Sequence, residues 1–222
     1  MSAELPLFPL GTVLFPGLVL PLHVFEERYR ALVRHLIALP DGTPRQFGVV
    51  AIRRGWEVDQ QATLTLHDVG CTAQVRQVTS HPDGRFDLTT VGHRRFSIRR
   101  VEAGREPYLL AEIDWLDEEP GPADEFDRLV PTVLDLFQRY LRLIRPAQVG
   151  EQVPDDPTVL SHVIAAAAAL SLDERQALLA APDTATRLRA ERSLLRREVG
   201  LLGRVRAVPV PLSELAVANS PN

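Results

Sequence analysis

Apolar residues in the first half of the chain alternate with polar ones in short runs that are separated by turn residues. In Cys71–Thr79, for example, every second residue is apolar at first, and the same alternation returns in Tyr108–Trp115. Alternation of this kind is typical of half-buried strands, and many short strands favour a small barrel or a strongly curved sheet. Strands are predicted at Glu4–Pro9, Leu18–Val24, Phe47–Arg53, Thr63–Val69, Cys71–Thr79, Phe86–Val91, Arg94–Val101 and Tyr108–Trp115.

The segment Pro16–Arg30 contains a strand pattern followed by a helical pattern, so a strand is predicted to run directly into an amphipathic helix. Pro21 interrupts the strand, which predicts a sheet edge or a bulge, since Pro cannot donate a ladder hydrogen bond. Helical spacing then begins at Phe25 and continues through Leu36, so a helix is predicted over Glu26–Leu39 with Phe25 on its apolar face. In the later strands, Gly92 predicts a bulge or a tight turn.

Beyond Asp117–Pro122 the pattern becomes helical. An apolar stripe predicts a helix from Phe126 to Ile144, and Pro131 predicts a kink or a late start within it. Asp156 followed by Pro157 predicts the N-cap and first residue of the next helix. Ser171 and Glu174 have the spacing of a capping box.

The last predicted helix covers Thr184–Leu202 and stops at Gly203. The fold class is therefore α+β. A β-barrel with one helix is predicted for residues 1–118, a helical subdomain for 119–205 and a mobile tail for 206–222.

Composition narrows the classes of function. The chain has 222 residues, a formal net charge of −4 and 45% hydrophobic residues, which disfavours nucleic acid or an anionic membrane as a partner. All of its basic residues other than His are Arg, and it contains no Lys. The single Cys71 cannot form an internal disulfide, and no signal sequence or apolar span is visible. A cytoplasmic location is expected.

Short motifs in a fixed order, most of them turn glycines and core apolar residues, carry a family resemblance across roughly Ala3 to Leu202. They are Leu5-Pro6-Leu7-Phe8-Pro9-Leu10, Phe15-Pro16-Gly17, Pro21-Leu22-His23-Val24-Phe25-Glu26, Arg28-Tyr29, Phe47-Gly48-Val49-Val50, Gly70-Cys71, Asp83-Gly84-Arg85, Val91-Gly92, Arg95-Phe96, Pro107-Tyr108-Leu109, Leu178-Leu179 and Arg187-Leu188. In this order the chain resembles the substrate-binding N-terminal domain of the Lon protease family, in a version that stands alone. The resemblance implies a PUA-like pseudo-barrel followed by a helical bundle.

The resemblance implies recognition without catalysis or a cofactor. The family's ATPase and Ser–Lys protease chemistry each require a Lys, which this chain lacks. The expected function is recognition of unfolded or peptide segments, or an adaptor role toward a protease or chaperone. Two other classes stay open: a peptidase or hydrolase with an unrecognised site, and an RNA-binding PUA-like module.

Candidate binding residues come from a segment with more large apolar side chains than one face can bury. We expect some of them to line a groove for polypeptide, and the alternative is that the segment folds back and buries them. Trp56 is a second candidate contact, because Trp is favoured at binding surfaces. The candidates are Val13, Leu14, Phe15, Leu18, Leu20 and Trp56.

The remaining candidate chemical residues are interpreted as structural or surface residues. His23 and Glu26 lack a third metal ligand nearby in sequence, so no metal site is predicted. Cys71 is expected to be a small core residue. The pairs Arg94-Arg95 and Arg99-Arg100 are expected at the solvated surface.

Overall fold

The computed structural model describes residues 2–53, 65–144 and 154–206. Within these ranges the chain forms a mixed six-stranded sheet and five helices, which confirms the α+β class. The strands are β1 (Ser2–Leu10), β2 (Val19–Val24), β3 (Gln46–Ala51), β4 (Val69–Ser80), β5 (Phe86–Glu102) and β6 (Leu109–Trp115). The helices are α1 (Glu27–Ala38), α2 (Ala123–Ile144), α3 (Pro157–Ala167), α4 (Leu172–Leu179) and α5 (Thr184–Arg206).

Strand β5 closes the sheet into a barrel. The strand order is β2-β5-β4-β3-β1-β6, and β5 pairs with β6 as well. The second half of β5, from Phe96 to Glu102, pairs with β6, whereas the first half, from Phe86 to Val91, pairs with β2. Among the six described strands, the pair β1 and β3 is parallel and the other pairs are antiparallel. Strand β2 therefore lies outside the closed ring, as an extension of one end of β5.

The two strands predicted around Gly92 are one continuous strand of 17 residues. Gly92 lies opposite Ala73, and the pairing of β4 with β5 shifts register between Cys71 and Ala73. The predicted irregularity is thus present as a register shift and does not end the strand. Thr63–Val69 was also predicted to be a strand; residues 54–64 lie outside the described ranges, and Leu66 forms only an isolated bridge with Ile52.

The two faces of the barrel wall pack into different cores. A small cluster holds Leu5, Leu7, Val50, Phe96, Ala111 and Ile113. Val49, which precedes Val50 on β3, belongs instead to the larger cluster, because successive strand side chains point to opposite faces. Gly48 makes room in the small core: a Cβ atom there would lie 2.7 Å from the Phe96 ring.

Helix α1 packs on the barrel through Tyr29, Leu32, Val33 and Leu36, all of which are buried. The Tyr29 ring stacks on Phe8 of β1 with centroids 4.0 Å apart. The larger core continues from these residues into the helical half, where it includes Phe137, Leu178 and Leu188. The proposed boundary between residues 118 and 119 stays a prediction, since one core spans both sides of it.

The helix ends mostly follow the sequence signals. Asp156 caps α3 by accepting hydrogen bonds from the N–H groups of Thr158 and Val159, and the capping box at Ser171 is formed. Helix α2 begins at Ala123, so Pro131 lies inside it and does not mark a late start. The predicted stop at Gly203 is wrong, because α5 continues to Arg206. A helical Gly costs only about 1 kcal/mol, which neighbouring helix formers can offset. Residues 207–222 of the predicted tail lie outside the described ranges.

Candidate polypeptide-binding surface

The loop before β2 is fixed to the barrel at Gly92. The N–H of Gly17 donates to the Gly92 carbonyl, and the N–H of Gly92 donates to the Leu18 carbonyl, both at 2.8 Å. A Cβ atom at Gly92 would lie 2.1 Å from the carbonyl oxygen of Phe15. Only glycine allows this approach, so the position of the loop is set by the backbone of β5.

Two of the predicted groove residues are core residues. Leu14 is 4% exposed and Phe15 only 1% exposed. The Phe15 ring lies 6.0 Å from the ring of His162 on α3, between the barrel and the helices. The expectation that these two line an open groove is therefore wrong for the described conformation, because the loop folds back and buries them.

The other predicted residues are closer to the surface. Val13, Leu18 and Leu20 are half-buried and pack against the larger core. Trp56 lies outside the described residues. What remains of the predicted segment is thus a partly exposed rim at the start of β2.

Strand β2 continues this rim, and two of the three residues on its outer face are apolar. Its residues alternate in exposure, so that Leu20, Leu22 and Val24 face inward while Val19, Pro21 and His23 face solvent. Val19 is 63% exposed, and Phe25, just after the strand, is 62% exposed. We call Val19, Pro21 and Phe25, together with the open edge of β2, the β2 surface.

The edge of β2 that faces away from β5 is unpaired in the part of the chain that the structure describes. Leu18 accepts a hydrogen bond from Gly92. Bonding alternates along an antiparallel pair, so Val19, Pro21 and His23 direct their backbone groups to the open edge. Pro21 therefore loses no ladder bond, which confirms the predicted edge position. An extended chain could pair with the remaining groups, as in β-strand addition.

Phe25 was placed on the apolar face of the first helix, and this placement is wrong. Helix α1 begins at Glu27 with Glu26 as its N-cap, so Phe25 precedes the helix. Phe25 is 62% exposed, whereas the Tyr29 ring stacks on Phe8 of the barrel. The signal that could have found it is the position of Glu26 and Glu27, since acidic residues cluster at a helix start.

Arg95 was expected at the surface and is instead 1% exposed. Its Nη1 donates to the carbonyls of Leu179 at 2.8 Å and Ala181 at 2.7 Å, and its Nε donates to the Glu118 carboxylate. Arg95 is buried because Leu179 and Ala181 of the helical half cover this face of β5. The other three arginines of the two pairs are exposed, as expected.

Glu118 links Arg95 to the helical half. Its Oε2 accepts from Arg187 at 3.2 Å and lies 3.6 Å from Nε2 of His162. Burial by itself raises the pKa of Glu118, but His162 and the charges of Arg187 and Arg95 lower this pKa to about 2. Burial lowers the pKa of His162. The group connects barrel and helices through charge, and Nη1 of Arg187 also donates to Oγ of Ser161 at 3.0 Å.

Cys71 is 0% exposed, as predicted, and burial raises its pKa to about 12. It is therefore not a reactive thiol at neutral pH. No described helix is both long enough and apolar enough to cross a membrane.

Comparison with known proteins agrees with this architecture. The family model of the ATP-dependent protease La (LON) substrate-binding domain matches residues 4–197. The chain is 29% identical to Lon protease 2 of Herpetosiphon aurantiacus over 90% of its length and 24% of that protein. It is 28% identical to the Lon protease of Escherichia coli, over 90% of the chain and 25% of that protein. The chain thus spans about a quarter of these relatives.

Two solved structures share the fold. The Lon N-terminal domain protein from Xanthomonas campestris matches with a TM-score of 0.62 and 27% identity, covering 87% of this chain and 98% of that one. The N-terminal domain of the Mycobacterium avium complex Lon protease matches with a TM-score of 0.64 and 19% identity, over 89% and 98%. The second supports the fold alone.

Proposed function

The chain belongs to the family of ATP-dependent protease La (LON) substrate-binding domains, and from this premise we propose that it binds unfolded polypeptide without catalysing a reaction on it. The observation that carries the proposal is the β2 surface. It combines a strand edge that is unpaired among the described residues with exposed apolar side chains, Val19 at 63% and Phe25 at 62%.

The proposed ligand is an extended segment with apolar side chains. Main-chain bonds to the β2 edge supply affinity independent of sequence, and Val19 and Phe25 supply apolar anchors. A few anchors of this kind support a Kd in the micromolar range, about −8 kcal/mol. Weak, sequence-tolerant binding suits a domain that samples many unfolded chains.

In this role the domain serves proteolysis or chaperoning by holding polypeptide for a partner protease or chaperone. The buried Cys71 and the absence of a second cysteine are compatible with a reducing cytoplasm, which is the location we expect. We propose no protease activity for this chain, which spans about a quarter of the Lon proteases it matches.

The test measures binding of a fluorescein-labelled model protein that is kept unfolded by reduction and carboxymethylation. Anisotropy titration should give a micromolar Kd for the wild type. The double variant Val19→Asp with Phe25→Asp should weaken binding by roughly tenfold or more, since each charge must then be desolvated at the contact. Its melting temperature should stay unchanged, because both side chains are already solvated.

The matched control is Val101→Asp, which changes a 40% exposed valine of β5 near β6. It should bind like the wild type. If the wild type does not bind the unfolded protein, the proposed function is wrong. If the wild type binds and the double variant binds equally well, the function stands and the β2 surface is the wrong site.

A further inference from the structure

Two histidines and an aspartate meet at the end of the barrel where β2 joins the β4–β5 hairpin. Nδ1 of His23 lies 2.6 Å from Oδ1 of Asp87, and Nε2 of His81 lies 2.6 Å from Oδ2 of the same carboxylate. The potential ligand atoms of the three residues all lie within 4.8 Å of one another. We call these residues the His23–His81–Asp87 cluster.

The backbone holds the three side chains in place. His23 and Asp87 are direct partners in the antiparallel pairing of β2 with β5, so their side chains share one face of the sheet. His81 opens the hairpin turn, where its N–H donates to the Arg85 carbonyl at 2.9 Å and its carbonyl accepts from Gly84 at 2.9 Å. Ligands on paired strands and a closed turn are preorganised, because little chain entropy remains to be lost.

We propose that the His23–His81–Asp87 cluster binds a divalent transition metal ion of the zinc class. Two imidazole nitrogens and one carboxylate oxygen are a donor set that suits zinc, cobalt and nickel. This site is independent of the proposed function, because it rests on different side chains and needs no polypeptide.

The geometry needs only a small adjustment. Tetrahedral bonds of about 2.0–2.1 Å place neighbouring ligand atoms roughly 3.3 Å apart. The two contacts of 2.6 Å must therefore widen, while the separation between the two histidine nitrogens is already within 4.8 Å. The side chains can move, because they are 49%, 37% and 49% exposed for His23, His81 and Asp87.

Neighbouring groups leave the three ligands available. The Asp83 carboxylate, in the same turn, accepts from Nε of Arg85 at 2.6 Å and is neutralised by it. Within the described residues, the hydrogen-bond partners given for the Asp87 carboxylate are the other two ligands, His23 and His81. With three protein ligands at the surface, the fourth position of the metal faces solvent and takes a water molecule or a group from another molecule.

The experiment titrates ZnCl₂ into the full chain without an affinity tag, at pH 7.5, in an isothermal titration calorimeter. We expect one zinc ion per chain with a micromolar Kd. His81→Ala and Asp87→Asn should each weaken binding by about tenfold or more, since each removes one of three ligands. The matched control is His93→Ala, which removes an exposed histidine from the same strand as Asp87 and should leave the Kd unchanged.

Cobalt(II) gives an independent readout. Visible d–d bands of a tetrahedral cobalt complex should appear with the wild type and His93→Ala, and not with His81→Ala. Thermal unfolding checks that each variant folds, and His23→Gln replaces His81→Ala if the latter does not. The proposal is overturned if the wild type shows no zinc binding below roughly 100 µM, or if zinc binds the cluster variants as tightly as it binds the wild type.

Discussion

Glu118, at the joint between barrel and helices, and the buried Glu191 of α5 should respond in opposite ways to removal of their charge. Glu118 contacts Arg95 and Arg187, and His162 lies 3.6 Å away. Glu191 is 1% exposed, and neither of its carboxylate oxygens has a hydrogen-bond partner among the described residues. The substitutions Glu118→Gln and Glu191→Gln keep the side-chain shape and remove the charge.

For Glu118 the expected effect is a loss of stability. Its pKa falls from the ordinary 4.5 to about 2. Each unit corresponds to 1.36 kcal/mol, so linkage sets an upper value of about 3 kcal/mol. The Glu118 side chain is 29% exposed and partly screened by solvent, so we expect Glu118→Gln to lower the free energy of unfolding by roughly 2 kcal/mol at pH 7. It also leaves Arg95 and Arg187 buried without their shared partner.

For Glu191 the expected effect has the opposite sign. Burial raises its pKa well above the ordinary 4.5, although the charge of Arg187 opposes this shift. The folded state therefore favours the protonated acid, and its contribution to stability is full below pH 4.5 and declines as the pH rises through the folded pKa. Glu191→Gln carries no such penalty, so it should be more stable than the wild type at pH 8.

Urea unfolding, followed by far-ultraviolet circular dichroism at several pH values, measures both effects. The pKa of Glu118 is depressed, so its contribution is present above pH 4.5 and is lost as the pH falls toward 2. The deficit of Glu118→Gln should accordingly be constant from pH 6 to 8 and shrink in acid. The gain of Glu191→Gln should shrink as the pH falls toward 4.5.

Two results would refute the reasoning. If Glu118→Gln is as stable as the wild type at pH 7, the charge contacts to Arg95 and Arg187 contribute nothing. If Glu191→Gln is less stable at pH 8, the Glu191 carboxylate is ionised and well paired in the folded state. Arg99→Gln is the control, because Arg99 pairs with Asp114 at the surface and should change stability by less than about 1 kcal/mol.

Substitutions at four further positions test packing and helix capping by urea unfolding. Phe15→Ala should lower the free energy of unfolding by about 3–5 kcal/mol, because it empties a core site, whereas Phe25→Ala should change it by less than about 0.5 kcal/mol; equal effects would contradict the assigned burial. Gly92→Ala should cost about 1–3 kcal/mol, since its Cβ meets the Phe15 carbonyl; a neutral result would mean that the loop is held differently. Ser171→Ala should cost about 1 kcal/mol through loss of the cap, and rescue by Ser171→Asp would separate capping from packing.

Local signals in the sequence were sufficient for most elements of the fold. Alternation located most of the strands, and side-chain caps located the starts of α3 and α4, because these depend on neighbours within a few residues. Pro21 indicated a sheet edge for the same reason. Gly203 led to a wrong prediction of the end of α5, because the helix penalty of about 1 kcal/mol for one Gly cannot by itself end a long helix.

The candidate sites depend on contacts between distant segments, which alternation does not report. Arg95 looks like a surface residue until the carbonyls of Leu179 and Ala181 cover it. Phe15 looks available for a ligand until Gly92 lets its loop approach β5. In both cases the burial of a side chain is decided by a backbone more than seventy residues away in sequence, so composition of the local segment could not have revealed it.

The same limitation explains why His23 was paired with the wrong acid. Within its own segment the nearest carboxylate is Glu26, which instead accepts a hydrogen bond from Arg28 at 2.9 Å. The carboxylate that His23 reaches is Asp87, and the register of β2 on β5 places the two side by side. His23 also lies on the outer face of β2, with its ring 6.3 Å from Phe25. In the two proposals one strand supplies both the edge for polypeptide and the first ligand for metal, and the variants Val19→Asp and His81→Ala address the two sites separately.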